Sequence, residues 1–231
     1  MRGDCRMFHA WSGSFIQNAK KAHNSIQGHY HSKAAIVYYC DGSLRRWHMT
    51  VGCLIDHKAP AFRYAKGDKP IIACGVILSD RGNFLVISDL HIPYQHPDSF
   101  EFLAAVRDAY YCEHILCVGD IVDHHAGSYH ESEPDALSAS DEYILSRQYL
   151  KELQGIFPEM VITRGNHDDI PTRKLKTAGL PMEMLSDFNG LYGLDDGWQW
   201  VQGEYEFDTQ DGVPIIVPMP LKPSGEWNGR L

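Results

Sequence analysis

Apolar residues in this chain fall mostly in short continuous runs rather than long helical stripes. "CRMFHAW" (5–11) predicts a short strand, and "AAIVYYC" (34–40), "RWHMTVGCLI" (46–55) and "PIIACGVILSD" (70–80) predict three more. "DGS" (41–43) is the expected hairpin turn between 34–40 and 46–55. "NFLVISDLH" (83–91), "HILCVGD" (114–120) and "MVITRGNHD" (160–168) share one form, an apolar run that stops in polar residues. Helical spacing appears between the runs. Phe15, Ala19, Ala22 and Ile26 suggest a helix over "SGSFIQNAKKAHNS" (12–25) behind a Ser cap. "PDSFEFLAAVRDAYYC" (97–112) predicts a helix opened by Asp98 or Ser99, and a long helix is expected near 135–156 after a polar loop over 123–134.

The β-α-β-α-β order from 83 to 168 predicts an α/β chain with a parallel layer and helices on its faces. In such sheets functional groups gather beyond the carboxyl ends of strands. Three polar clusters fall there: Asp89/His91, Asp120/Asp123 and Asn166/His167/Asp168. Trp198, Trp200, Tyr205 and Phe207 sit at even spacing in "GWQWVQGEYEF" (197–207) and predict a half-buried strand. The tail from 212 carries Pro214, Pro218, Pro220 and Pro223 and is expected to close a sheet edge, because proline cannot sit in a central strand.

Composition narrows the picture. The 231 residues suit one domain spanning 1–231, and the net charge of −9 argues against a broad grip on nucleic-acid backbone. Small phosphate ligands remain open, since bound metals supply positive charge locally. No apolar run approaches the ~20 residues of a membrane span, and the first thirty residues lack a signal-peptide core. The six scattered cysteines suggest reduced thiols of an intracellular, cytoplasmic protein. The last of the thirteen histidines is His167, so any histidine-based site is built from the first three quarters of the chain.

The strand-end residues suggest metal chemistry. Asp89 and His91, at i and i+2 on an extended segment, would project to one side and hold one ion together. Asp120, after a glycine at a tight strand end, can approach two ions, and Asn166 offers a neutral oxygen. Such mixed ligation suits Mn, Fe, Zn or Ni better than Ca. Two such ions ~3.5–4 Å apart would activate a bridging water beside a phosphate. Each piece alone is weak, since a strand-end Asp is usually a cap; three in order are a strong signal.

"SDLH", "GDIVD", "GNHD", a separate His and "GHYH" together resemble the five blocks of the calcineurin-like metallophosphoesterase superfamily. The resemblance implies a two-sheet β-sandwich flanked by helices with a dinuclear metal centre at the sheet ends. The order departs from the family's, where the lone His and the GHxH pair come last; here they come first, as His9, His29 and His31. The chain thus resembles a circular permutation of that fold. Residues 1–82 would be the family's C-terminal segment, 83–211 its N-terminal segment and 212–231 a closing tail, with "LSDRGN" (78–83) as the join. An unrelated first domain beside a truncated core is the competing arrangement.

Carried over, the resemblance implies one metal on Asp89, His91 and His31, a second on Asn166, His9 and His29, and Asp120 as the bridge. The ions would be divalent transition metals, manganese first. His167 would be the general acid and Asp123 its orienting carboxylate, although Asp123 would equally serve as a loop cap. Arg164 and His124 are candidate substrate contacts; a salt bridge is as good a reading for Arg164. His124 and His125 are expected to be solvated or substrate-facing, His130 and His23 on the surface, and His48 and His57 partly exposed. Asp168 is expected to hold its loop.

The leading expectation is therefore a hydrolase acting on phosphate esters. The second His of GHxH favours phosphodiesters, nucleotides or short nucleic acid, and no membrane or obligate protein partner is implied. The short form also resembles small phosphoesterases of phages and prokaryotes. A Ser/Thr-type protein phosphatase is the alternative, weakened because "GDIVDHH" lacks that branch's arginine. A non-catalytic metal-binding scaffold is the third reading. A serine or cysteine hydrolase has no support, as no GxSxG occurs.

Overall fold

The computed structural model describes residues 4–10, 23–42, 44–63, 69–128, 133–185 and 187–231. Two sheets carry the fold. The smaller holds β1 (Cys5–Phe8), β2 (Asn24–Gln27), β3 (Ala34–Asp41), β4 (Leu44–Val51) and β10 (Tyr205–Phe207), in the order β10-β1-β2-β4-β3. The larger holds β5 (Ala73–Leu78), β6 (Asn83–Ile87), β7 (Cys112–Cys117), β8 (Met160–Thr163), β9 (Trp198–Val201) and β11 (Val213–Pro218), in the order β11-β5-β6-β7-β8-β9. Strands β6 to β9 run parallel, as do β1, β2 and β4. The α-helices among the described residues are α1 (Ser99–Ala109), α2 (Ala139–Ile156), α3 (Ile170–Thr177) and α4 (Phe188–Tyr192), with short 3-10 turns at Pro60–Phe62, His125–Gly127 and Met182–Met184. The expected two-sheet sandwich with flanking helices is present.

Strand alternation divides the core in two. Phe84 and Val86 of β6, with Leu116 and Val118, meet Cys5, Met7, Ile26, Trp47, Met49 and Val51 between the sheets. Their neighbours Leu85, Ile87, Ile115 and Cys117 point the other way, into a cluster with Phe102, Leu103 and Val106 of α1 and Leu150 and Leu153 of α2. The larger sheet is buried on both faces, which is why its strands are continuous apolar runs. Each large side chain so buried contributes ~1.5–3 kcal/mol. The sheets pack tightly at Gly75, where a Cβ would stand 2.9 Å from Met49 Cε.

Several sequence expectations change. Residues 11–22 of the expected first helix lie outside the described residues, as does His130. The end of that helix, however, is strand: Asn24–Gln27 lies between β1 and β4 with all four residues buried, so Ile26 serves a sheet. His23 is half-buried at the bend before β2. The long helix starts at Ala139, because Ser138 Oγ accepts the Asp141 N–H at 3.2 Å and caps it there. Asp98 precedes α1, but its carboxylate accepts the Trp227 N–H at 2.8 Å and ties down the tail. The expected strand over 197–207 is two strands, β9 and β10, in different sheets. Gly203, at φ +87°, turns the chain between them. His48 is fully buried, not partly exposed; Ser25 Oγ bonds its Nδ1 at 2.7 Å and burial lowers its pKa to about 4. His57 is exposed. The tail does close an edge, with β11 antiparallel to β5. All six cysteines are free thiols. No helix among the described residues is long and apolar enough to cross a membrane.

Candidate metal centre

The carboxyl ends of β6, β7 and β8 meet those of β1 and β2 at one end of the sandwich. Beyond β6 and β7 the two loops stay paired through their backbones. Asp89 N–H donates to Gly119 O at 3.1 Å, His91 N–H to Asp120 O at 2.9 Å, and Asp123 N–H to Ile92 O at 3.0 Å. This lacing holds a series of left-handed residues: Asp89 (φ 50°), His91 (φ 49°), Asp120 (φ 47°) and, across the site, His29 (φ 69°). Each such residue costs of order 1–3 kcal/mol. Asp89 and His91 therefore converge through two left-handed residues, not through the strand alternation expected from their spacing. Two glycines admit the close approach. A Cβ on Gly119 (φ +84°) would lie 2.8 Å from His9 Nδ1, and one on Gly165 would lie 2.1 Å from Asp120 Oδ1.

Around this frame stand three buried carboxylates and five imidazoles. His9 Nε2 lies 2.9 Å from Asp120 Oδ2, and His31 Nε2 lies 3.2 Å from Asp89 Oδ1. His91 Nε2 is 3.8 Å from both Asp89 Oδ1 and Asp120 Oδ2. The His29 ring sits edge-on to His9 at 5.2 Å, and the His29 backbone N–H donates to Asp89 Oδ2 at 2.8 Å. Ser88 Oγ donates to the same oxygen. His91 Nδ1 donates to Asp123 Oδ1 at 2.5 Å. His167 Nδ1 donates to the Asp123 carbonyl at 2.5 Å, with Asp123 Oδ1 at 3.2 Å. Asp123 thus grips both rings from behind. Asp168 accepts the Val122 and Gly165 N–H groups at 3.1 and 2.8 Å, fastening its loop as expected.

The electrostatics follow. Burial alone would raise all three carboxyls, but the imidazoles win: Asp120 is held at about 2, while Asp89 and Asp123 lie below the usual range. Burial likewise opposes charge on His9 and His91, yet Asp120 lifts His9 to about 10 and Asp123 with Asp89 lifts His91. Burial and His9 lower His29. His167 is raised because the Asp123 bond outweighs burial.

Among the described residues, three groups have ligand atoms within 4.8 Å of one another: His9/His29/Asp120, His31/Asp89/His91 and His91/Asp123/His167. Two come from both sheets at once. Residues 82–223 match the family model for calcineurin-like phosphoesterases. The chain belongs to that family. Membership as a calcineurin-like phosphoesterase implies hydrolysis of phosphoric esters with divalent metals. His9, His29 and His31 lie outside the matched stretch, yet the fold brings them onto it. No curated protein and no solved structure matches the chain.

The donor set suits the family's metals. His9 Nδ1 donates to the Val118 carbonyl at 2.7 Å, so once a cation takes the place of the Nε2 proton the neutral ring turns a lone pair toward Asp120. His91, tied through Nδ1 to Asp123, does the same. His9 Nε2 is paired with Asp120 Oδ2 at 2.9 Å, and His91 Nε2 is buried without a hydrogen-bond partner among the described residues, 3.8 Å from Asp89 and Asp120. Lone pairs facing carboxylate oxygens across ~3–4 Å call for a cation.

The remaining candidates are placed as follows. Asn166 is exposed, and it shares a cleft of about 360 Å³ with His9, Arg164, Asp169 and Glu204. Arg164 pairs with Asp169 at 3.2 Å and lies 5.0 Å over the Phe188 ring. His124 bonds the Tyr192 hydroxyl at 2.7 Å, and burial lowers its pKa to about 4. His125 is only 3% exposed, so the expectation of a solvated pair fails for it. Sequence reasoning missed Glu142. Its carboxylate accepts the N–H groups of His125 and Ala126 at 2.6 and 3.0 Å, fixing the turn after Asp123, and burial raises it to about 7. A lone Glu on a helix carries no signal that would have found it.

Proposed function

We propose that this calcineurin-like phosphoesterase is a circularly permuted, dinuclear phosphodiesterase. Asp89, His91 and His31 would hold one metal and Asn166, His9 and His29 the other, with Asp120 within reach of both sets. The observation that carries the reading is the pair of buried Nε2 atoms, of His9 and His91, that converge on Asp120 Oδ2 from different sheets at 2.9 and 3.8 Å. Two divalent transition metals, manganese foremost, supply Lewis acidity, a water nucleophile and neutralisation of phosphate charge when bound. The protein positions the ester and moves the proton. His167, anchored through Nδ1, presents Nε2 as the general acid for the leaving oxygen. Asp123 keeps that ring oriented and charged. The cleft beside Asn166 receives the ester, and Arg164, stiffened by Asp169 and Phe188, lines it.

Permutation is supported by the three histidines that lie outside the matched stretch and yet face it. The tight β5–β6 connection at 79–82 is where the two family segments would be joined. Diesters are favoured over protein phosphomonoesters because His124, turned to Tyr192, stands where that branch carries its arginine.

The test compares bis-(p-nitrophenyl) phosphate with p-nitrophenyl phosphate in manganese, for the parent and His29→Ala. Diester turnover should dominate, vanish with chelator and fall in the mutant by at least the ~10–100-fold of a lost outer partner. Unchanged turnover in His29→Ala would remove residues 1–40 from the centre.

A further inference from the structure

The two sheets leave four edge strands among the described residues, and three are guarded. Strand β10 has three residues and β9 has four, too short to template another strand. Strand β11 carries Pro214 and Pro218. Strand β3 is different. It runs eight residues, Ala34–Asp41, in unbroken register with β4, with no bulge, no proline and no charge from 34 to 40. Folded proteins blunt such edges or use them.

The free edge is also self-complementary. Asp41 pairs with Leu44 across a two-residue loop, which makes that pair a hydrogen-bonded one. Hydrogen-bonded pairs then recur at odd positions of β3, and the outward N–H and C=O groups belong to Ala34, Ile36, Tyr38 and Cys40. An antiparallel second copy centred on Val37 sets 36 against 38 and 34 against 40, even against even, so every outward group meets a partner. Ile36 packs on the inter-sheet core, while Tyr38 beside it is 48% exposed. The two-fold lays each Tyr38 against the other copy's Ile36, an aromatic and β-branched pair. It also sets position 33, a lysine, opposite position 41, an aspartate, at both ends of the ladder.

We infer that the protein is a homodimer built by antiparallel pairing of β3 with β3 of a second copy about Val37, joining the two smaller sheets into one.

Sedimentation equilibrium on the full chain should give twice the chain mass. Tyr38→Pro removes an outward N–H that β4 does not use, and Tyr38→Lys sets a charge into the seam while leaving the backbone intact. Each should give a monomer that keeps bis-(p-nitrophenyl) phosphate turnover. Val37→Cys in a Cys40→Ser background should oxidise to a covalent dimer, since facing non-hydrogen-bonded residues stand ~4.5 Å apart at Cα. A parent that is monomeric at all concentrations overturns the proposal. So does a dimer that survives both Tyr38 substitutions and fails to cross-link through position 37.

Discussion

At the residue scale, the proposed mechanism separates groups that would bind metal from the group that would move the proton, and this separation can be measured. His91 and His167 share the Asp123 carboxylate, at 2.5 and 3.2 Å from Oδ1, but only His91 aims its other nitrogen at Asp89 and Asp120. His167→Ala should lower kcat by about 10²–10⁴ while bound manganese, counted by elemental analysis, stays at the parent level. His91→Ala should lose metal and activity together. Metal loss in His167→Ala would make that histidine a ligand and remove the acid from the proposed mechanism. The identities of these residues were legible in the sequence because their motifs are short and local. Their geometry was not. The i, i+2 spacing of Asp89 and His91 suggested strand alternation, whereas the real device is a left-handed backbone held by a neighbouring loop, and φ leaves no trace in a residue's name except at glycine.

At the element scale, helix α2 acts on the centre without touching a candidate ligand. Glu142 reaches from its first turn to two N–H groups of the turn at 125–127, the segment directly after Asp123. Its folded pKa of about 7 stands above the ordinary 4.5, so the fold holds the proton more tightly than the unfolded chain does. That contribution is complete below pH ~4.5 and is lost as pH rises through about 7. Denaturant titrations should show the parent losing stability relative to Glu142→Gln across this window, by about 3 kcal/mol. A pH-independent difference between the two would place the proton elsewhere. Continuous apolar runs revealed β6, β7 and β8, since strands buried on both faces have no polar side to alternate. The 197–207 segment misled because even spacing persists through Gly203, where the chain leaves one sheet for the other. Strand β2 was hidden because Asn24, Ser25 and Gln27 are polar yet fully interior.

At the scale of the whole molecule, the proposed permutation turns on the order of segments. Under the permuted reading, the turn at 79–82 is only a seam, because β5 and β6 are already paired at Gly75–Val86 and Ile77–Phe84 and the sheets share a core. A protease site placed at exposed Arg81 should therefore be cleavable with both pieces remaining associated through gel filtration and most diester turnover retained. Dissociation on cleavage would show that the link carries the assembly.

The sandwich interface has a further consequence for synthesis on the ribosome. Met7, Ile26, Trp47 and Met49 are made before the side chains that cover them, Phe84, Val86, Leu116 and Val118, which follow by 35 residues (Met49 to Phe84) to 111 residues (Met7 to Val118). Until then the nascent sheet has one greasy face and no partner. His9, made at the outset, waits more than a hundred residues for Asp120. Such long-range pairing is slow and leaves half-made chains prone to sticking together. Translation pace and chaperone supply, more than final stability, should decide how much active protein a cell obtains.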